Sequence, residues 1–114
     1  MSRRPSDLIA AEVASWPDIT TGPGRFGAVT FRYGTREVGH LHGDSHADLP
    51  FPTALRDRLV AAGRAEPHAF LPDSGWVTSR LAGEGAVART LELFRLNYDL
   101  ILRKKQPFRP PPPG

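Results

Sequence analysis

The sequence predicts an α+β fold: a single antiparallel sheet of four to five strands with three helices, in the order α-β-β-β-α-β-β-α. Three observations lead there. Period-2 alternation and helical spacing mark separate segments along the chain. Hairpin signals dominate, the clearest being the tight turn Gly34-Thr35 between two alternating runs. No strand-helix-strand unit repeats at the length a doubly wound sheet needs, so helices covering one face of an antiparallel sheet are the natural solution.

Each element has a local reason. Residues 6–15 read as a first helix: Ser6 suits its cap, Asp7 its first turn, and Leu8, Ile9 and Val13 follow. Trp16-Pro17 ends it, because a residue before proline is pushed out of the helical region. Ile19-Thr20-Thr21 is a short strand ahead of the breaker Gly22-Pro23-Gly24. Residues 25–33 alternate, with Phe26, Ala28, Thr30 and Arg32 on one side and Val29, Phe31 and Tyr33 on the other; residues 36–42 return as their hairpin partner.

Asp48-Leu49-Pro50-Phe51-Pro52 reads as a rigid approach to a second helix, whose buried stripe is Leu55, Leu59 and Val60 and whose stop is Gly63. Residues 65–71 read as a strand carrying His68, Pro72-Asp73-Ser74-Gly75 as a turn, and residues 76–81 as a further strand. The last helix spans about 85–104. Val87, Leu91, Phe94, Tyr98 and Ile101 form one apolar row, and Leu93, Leu96 and Leu100 a second. A helix apolar on two faces is either centrally buried or shared with a partner, which makes a homodimer through this helix one hypothesis.

The length of 114 residues suits one domain over 1–105, followed by a Pro-rich tail over 106–114 that extends or stays disordered. With 39% hydrophobic and 24% charged residues, the chain falls among globular rather than disordered sequences. It has no cysteine, which excludes disulfides, thiolate metal sites and cysteine nucleophiles and fits a reducing, cytoplasmic setting. No apolar run approaches the ~20 residues that cross a bilayer, so no membrane partner is expected. The formal charge of +3 is concentrated at the ends, in Arg3, Arg4, Arg103, Lys104, Lys105 and Arg109. A nucleic-acid binder carries its cations on a face of the fold, so solvated, solubilising termini are the first reading of these and a nucleic-acid partner the alternative.

The densest polar chemistry lies in His40-Leu-His42-Gly-Asp44-Ser-His46-Ala-Asp48. His40, His42, Asp44, His46 and Asp48 recur at every second position, which on an extended strand places them on one face. Three readings follow. His40, His42, Asp44 and His68 could ligate a divalent metal, with zinc, iron, manganese, copper and nickel all compatible. Alternatively His40, His42 and His68 are catalytic candidates for proton transfer, oriented by Asp44 or Glu37, or they position a small polar or anionic ligand. In the third reading the cluster is structural, its histidines paired with Asp44, Asp48 or backbone carbonyls. Asp48 and Asp44 are also ligand-binding candidates. So are Arg80, which alternates with Thr78 toward the same surface, and Trp76 at the start of that strand. Ser45 and Ser74 suit turns better than nucleophilic roles.

The residues His40-Leu-His42-Gly-Asp44, Ala47-Asp-Leu-Pro-Phe-Pro52, Leu59-Val60, Gly63-Arg-Ala-Glu66-Pro-His68 and Pro72-Asp-Ser-Gly-Trp-Val77 resemble the small luciferase domain family, in its bacterial branch. The likeness spans about Leu8 to Leu102. It implies a compact α+β domain and directs attention to His40, His42 and His68. It implies no light emission, since most members have no assigned reaction. A weaker likeness, carried by Gly75-Trp76-Val77 and Leu96-Asn-Tyr98-Asp-Leu100, is to the MmcQ/YjbR type of small DNA-binding domain, and it supports the nucleic-acid alternative by analogy.

Overall fold

Helix α1 (Pro5–Ala14) opens the chain as a computed structural model describes it, over residues 4–105. The order continues β1 (Ile19–Pro23), β2 (Val29–Tyr33), β3 (Arg36–His42), β4 (His46–Pro50), α2 (Thr53–Ala61), β5 (Glu66–Pro67), β6 (Trp76–Arg80) and α3 (Ala86–Lys105). The strands form one antiparallel sheet in the order β1-β2-β3-β4-β6-β5. The α+β class and its three helices stand; the strands number six rather than four to five. The proposed tail, 106–114, lies outside the described residues.

The additional strand is β4, which the sequence presents as a stiff lead into α2. Its five residues include an aspartate and a proline, both poor strand formers, so local propensity hides it. Tertiary pairing makes it a strand, with β3 on one side and β6 on the other. The expected strand 65–71 shrinks to Glu66–Pro67, and the expected strand 25–33 begins only at Val29. Before it, Arg25–Gly27 forms one 3-10 turn, with Phe26 in the left-handed region at φ 57°. Helix α1 starts at Pro5, whose ring presets the first helical φ, so Arg4 rather than Ser6 takes the cap position.

One face of the sheet carries the core. Phe31, Val38, Leu41, Ala47, Leu49 and Val77 meet Ile9 and Val13 of α1 and Leu93, Phe94, Tyr98 and Ile101 of α3. Phe31 and Phe94 pack edge to face with ring centroids 5.6 Å apart. Leu96 and Leu100, from the second row of α3, are half-buried and also pack against this cluster.

A β-bulge in β3 decides what faces the other way. Phe31 pairs with Gly39 and Arg32 pairs with Glu37, so Val38 is the extra residue. Val38 and Gly39 are both buried toward the helices. A Cβ at position 39 would lie 2.7 Å from the Phe94 ring, so α3 approaches as close as it does because that residue is glycine. The Val38 carbonyl accepts a 2.9 Å hydrogen bond from the buried Asn97 side chain of α3. The bulge puts Glu37 and His40, three residues apart, on the same face; in a regular strand they would point oppositely.

Candidate functional site

The face of the sheet away from the core borders an open cavity of about 840 Å3. The hairpin between β3 and β4 supplies its floor. Gly43, at φ 53°, lets the chain reverse within three residues, and Ser45 N–H bonds back to the His42 carbonyl at 3.1 Å. His42 therefore pairs across the hairpin with His46, and His40 with Asp48. The polar alternation seen in the sequence thus runs along two strands rather than one.

The turn removes Asp44 from the group. Its Oδ1 accepts from the Ser6 backbone N–H at 3.0 Å and from the Ser6 hydroxyl at 2.6 Å. It thus satisfies one of the free N–H groups at the start of α1, where Arg4 offers no side-chain cap. These bonds, with the nearby Arg4 guanidinium, hold its carboxyl below the usual range. The expectation that Asp44 shares a metal or ligand site with the histidines is corrected: it is a helix-capping residue on the turn.

All four histidines of the chain converge instead on one oxygen. Asp48 Oδ2 lies 3.3 Å from His40 Nε2, 3.2 Å from His42 Nε2, 3.5 Å from His68 Nε2 and 3.7 Å from His46 Nε2. Asp48 is only 2% exposed, and its Oδ1 accepts from the Thr78 hydroxyl at 2.7 Å, which fixes the carboxylate plane. Burial alone would raise the Asp48 carboxyl. Hydrogen bonds from His40 and Thr78 overcome that and bring it down to about 2.

Each imidazole is held differently. His40 Nδ1 is 2.7 Å from Glu37 Oε2, the pairing that the bulge makes available. Burial would lower the His40 ring, but its bonds to Asp48 and Glu37 and their charges dominate, raising it to about 9. Burial and the positive charge of His40 push His42 the other way. His46 stacks on His42 at 4.7 Å and has Nδ1 2.9 Å from the Ser45 hydroxyl. His68 Nδ1 accepts the Phe70 backbone N–H at 3.2 Å, so its Nε2 carries the proton and points it at Asp48.

Donor atoms of His40, His42 and Asp48 all lie within 4.8 Å of one another, close enough to share one ion. Of the four residues the sequence offers for a metal, His40 and His42 are thus together, Asp44 is elsewhere, and His68 presents a donor rather than a lone pair. Asp48 replaces Asp44. Of the two orienting acids considered, Glu37 is the one in contact.

Trp76 lines the cavity, its ring 5.4 Å from His40 and 6.3 Å from His68. Arg80 reaches the same cavity and pairs with Glu66 at 2.7 Å. Arg25, Phe26, Arg32 and Phe70 also line it, and sequence reasoning did not single them out as site residues. Arg32 was recoverable, because it alternates with Thr30 on β2; Phe26 and Phe70 were not, since both look like strand positions. Ser45 and Ser74 do sit in turns. Of the cations weighed for nucleic acid, Arg3 and Arg109 lie outside the described residues, while Arg103 and Lys104 are exposed at the end of α3. Among the described residues no helix is long and apolar enough to cross a membrane.

A family model described as luciferase domain matches residues 35–97, from the start of β3 into α3, which is more than half of the chain. No curated protein and no solved structure matches it. The chain belongs to the luciferase domain family.

Proposed function

We propose that this protein binds a divalent transition-metal ion through His40, His42 and Asp48, and holds a small-molecule ligand above it in the cavity. The observation that carries the reading is a spacing. Two ligands ~2.0–2.1 Å from one tetrahedral ion stand ~3.3 Å apart. The His40 and His42 Nε2 atoms lie 3.3 and 3.2 Å from Asp48 Oδ2. Charge-assisted hydrogen bonds usually close to ~2.7–2.9 Å. The His40–Glu37 contact does so, at 2.7 Å.

The surrounding groups suit such a site. Glu37 receives the Nδ1 proton of His40, which turns the Nε2 lone pair toward the ion. Thr78 occupies Asp48 Oδ1 and leaves Oδ2 free to ligate. His68 Nε2–H lies 3.5 Å from Asp48 Oδ2 and would donate a proton or a hydrogen bond to the ligand. When bound, the ion supplies a Lewis acid at the cavity floor. Two histidines and one carboxylate fit iron(II) or zinc, and cobalt(II) serves as a spectroscopic stand-in.

The test is elemental analysis of the purified chain, followed by cobalt(II) titration of chelator-treated protein. The expected result is one ion per chain, with absorption bands of low-coordinate cobalt that vanish in His40→Ala and His42→Ala while the circular dichroism of the fold persists. No stoichiometric uptake by folded wild-type protein would overturn the proposal. Unfolding of both variants would instead favour a structural role for the cluster.

A further inference from the structure

Two features of the cavity are not explained by the metal cluster. The first is apolar. Phe26 is 95% exposed and Phe70 88% exposed, and Leu71 is also among the exposed large hydrophobics. All three line this cavity. Phe26 comes from the β1–β2 connection and Phe70 from the segment after β5, so they approach from the two opposite edges of the sheet. Phe26 is held outward in a backbone conformation that non-glycine residues seldom adopt. Two nearly naked phenyl rings at one opening are costly to leave in water, and they stand where a ligand would cover them.

The second feature is charge. Six ionic side chains besides the histidines line the cavity: Arg25, Arg32, Arg80, Glu37, Asp48 and Glu66. The three carboxylates are all engaged, Glu37 by His40, Asp48 by Thr78 and the imidazoles, and Glu66 by Arg80. Arg25 and Arg32 make no ion pair among the described residues. Arg25 is the neighbour of Phe26 in sequence, and Arg32 sits on β2 opposite Glu37. The β2 side of the opening therefore presents free guanidinium groups beside an exposed aromatic ring.

We infer that the cavity takes an amphipathic organic anion, with its acidic group on Arg32 and Arg25 and its apolar body between Phe26 and Phe70. This rests on the reading of the cavity as a ligand pocket, but not on the metal. A volume of about 840 Å3 accommodates a molecule of drug size. A planar guanidinium favours carboxylate, phosphate or sulfonate groups, with two parallel hydrogen bonds. The two phenyl rings then serve as the jaws of the pocket and exclude water from that contact.

The test is isothermal titration calorimetry of the whole chain, with and without one equivalent of zinc. The probes are decanoate and 2-naphthoate, their neutral counterparts decanol and 2-naphthylmethanol, and decyltrimethylammonium, each below its micelle concentration. At least one anion should bind one to one, about tenfold or more tighter than its neutral counterpart. Arg32→Met should erase that preference. Phe26→Asn, which suits the left-handed backbone, should weaken anionic and neutral probes alike, and the remote Arg103→Met should change nothing. Equal affinity for acid and alcohol, preference for the ammonium probe, indifference to Arg32→Met, or no saturable binding of any probe would each overturn the inference. Zinc uptake without probe binding would overturn this inference and leave the metal site standing; anion binding by a chain that takes up no zinc would do the reverse.

Discussion

At the scale of single residues, Asp48 is the centre on which the site depends. A buried carboxylate without partners would be strongly disfavoured, and this one is surrounded by imidazoles and a hydroxyl. Folding therefore stabilises its charged form and, through it and Glu37, the charged form of His40. The pH dependence follows from the directions of these shifts. The contribution of His40, raised from 6.5 to about 9, is fully present below 6.5 and is lost as pH climbs through 9. That of Asp48, lowered from 3.8 to about 2, is present above 3.8 and is lost as pH falls through 2. His42, lowered from 6.5, opposes folding as it charges on the acid side. The melting temperature of metal-free protein should accordingly decline between pH 6.5 and 9, and calorimetric scans across that window check it. Glu37→Gln should bring the His40 titration, followed by NMR of the ring protons, down from about 9 toward the ordinary imidazole range. It should also weaken cobalt affinity by about 10–100-fold. Much of this site was legible as residue types: His40, His42, His68, Asp48 and Glu37 can all be named from spacing and chemistry. What spacing could not settle was the place of the chain reversal, which carries Asp44 off to α1 and brings His46 back beside His42.

At the scale of elements, the hairpin and the bulge do the positioning. Three helices and the antiparallel class are readable because prolines, glycine stops and apolar spacing are local signals. Strand β4 is not, because its identity comes from two neighbouring strands rather than from its own residues, and β5 is too short to announce itself. The bulge is likewise invisible in sequence, although Gly39 beside Val38 is the trace it leaves. Asn97 is the side chain that holds it from α3. Asn97→Leu should leave the buried Val38 carbonyl unpaired, cost about 1–3 kcal/mol in denaturant unfolding, and lower the His40 pKa by loosening Glu37. The last readout separates a positioning role from mere loss of stability. A surface change of equal destabilisation should leave that titration in place.

At the scale of the whole molecule, the sheet separates two jobs by its thickness. Helices and hydrocarbon lie behind it; histidines, arginines and the cavity lie in front. Leu93→Ala, at a fully buried position behind the sheet, should cost about 2–5 kcal/mol while zinc affinity of the folded fraction stays unchanged. Zinc at a hundred times its dissociation constant should stabilise wild-type protein by about 2.7 kcal/mol, raising the melting temperature by roughly 10 °C. His42→Ala should show no such rise. The bulge gives this division an unusual weak point. Replacing a front-side residue alters chemistry, and replacing a rear one alters packing, but drawing β3 out into a regular strand with all of its residues kept would do something else. It would rotate Arg36 and Glu37 half a turn relative to His40, turning an acid inward among leucines and stripping the imidazole of its partner in one event. The doubled inward step at Val38 and Gly39, rather than any one side chain, is what keeps the acid and the imidazole on the same side of the sheet.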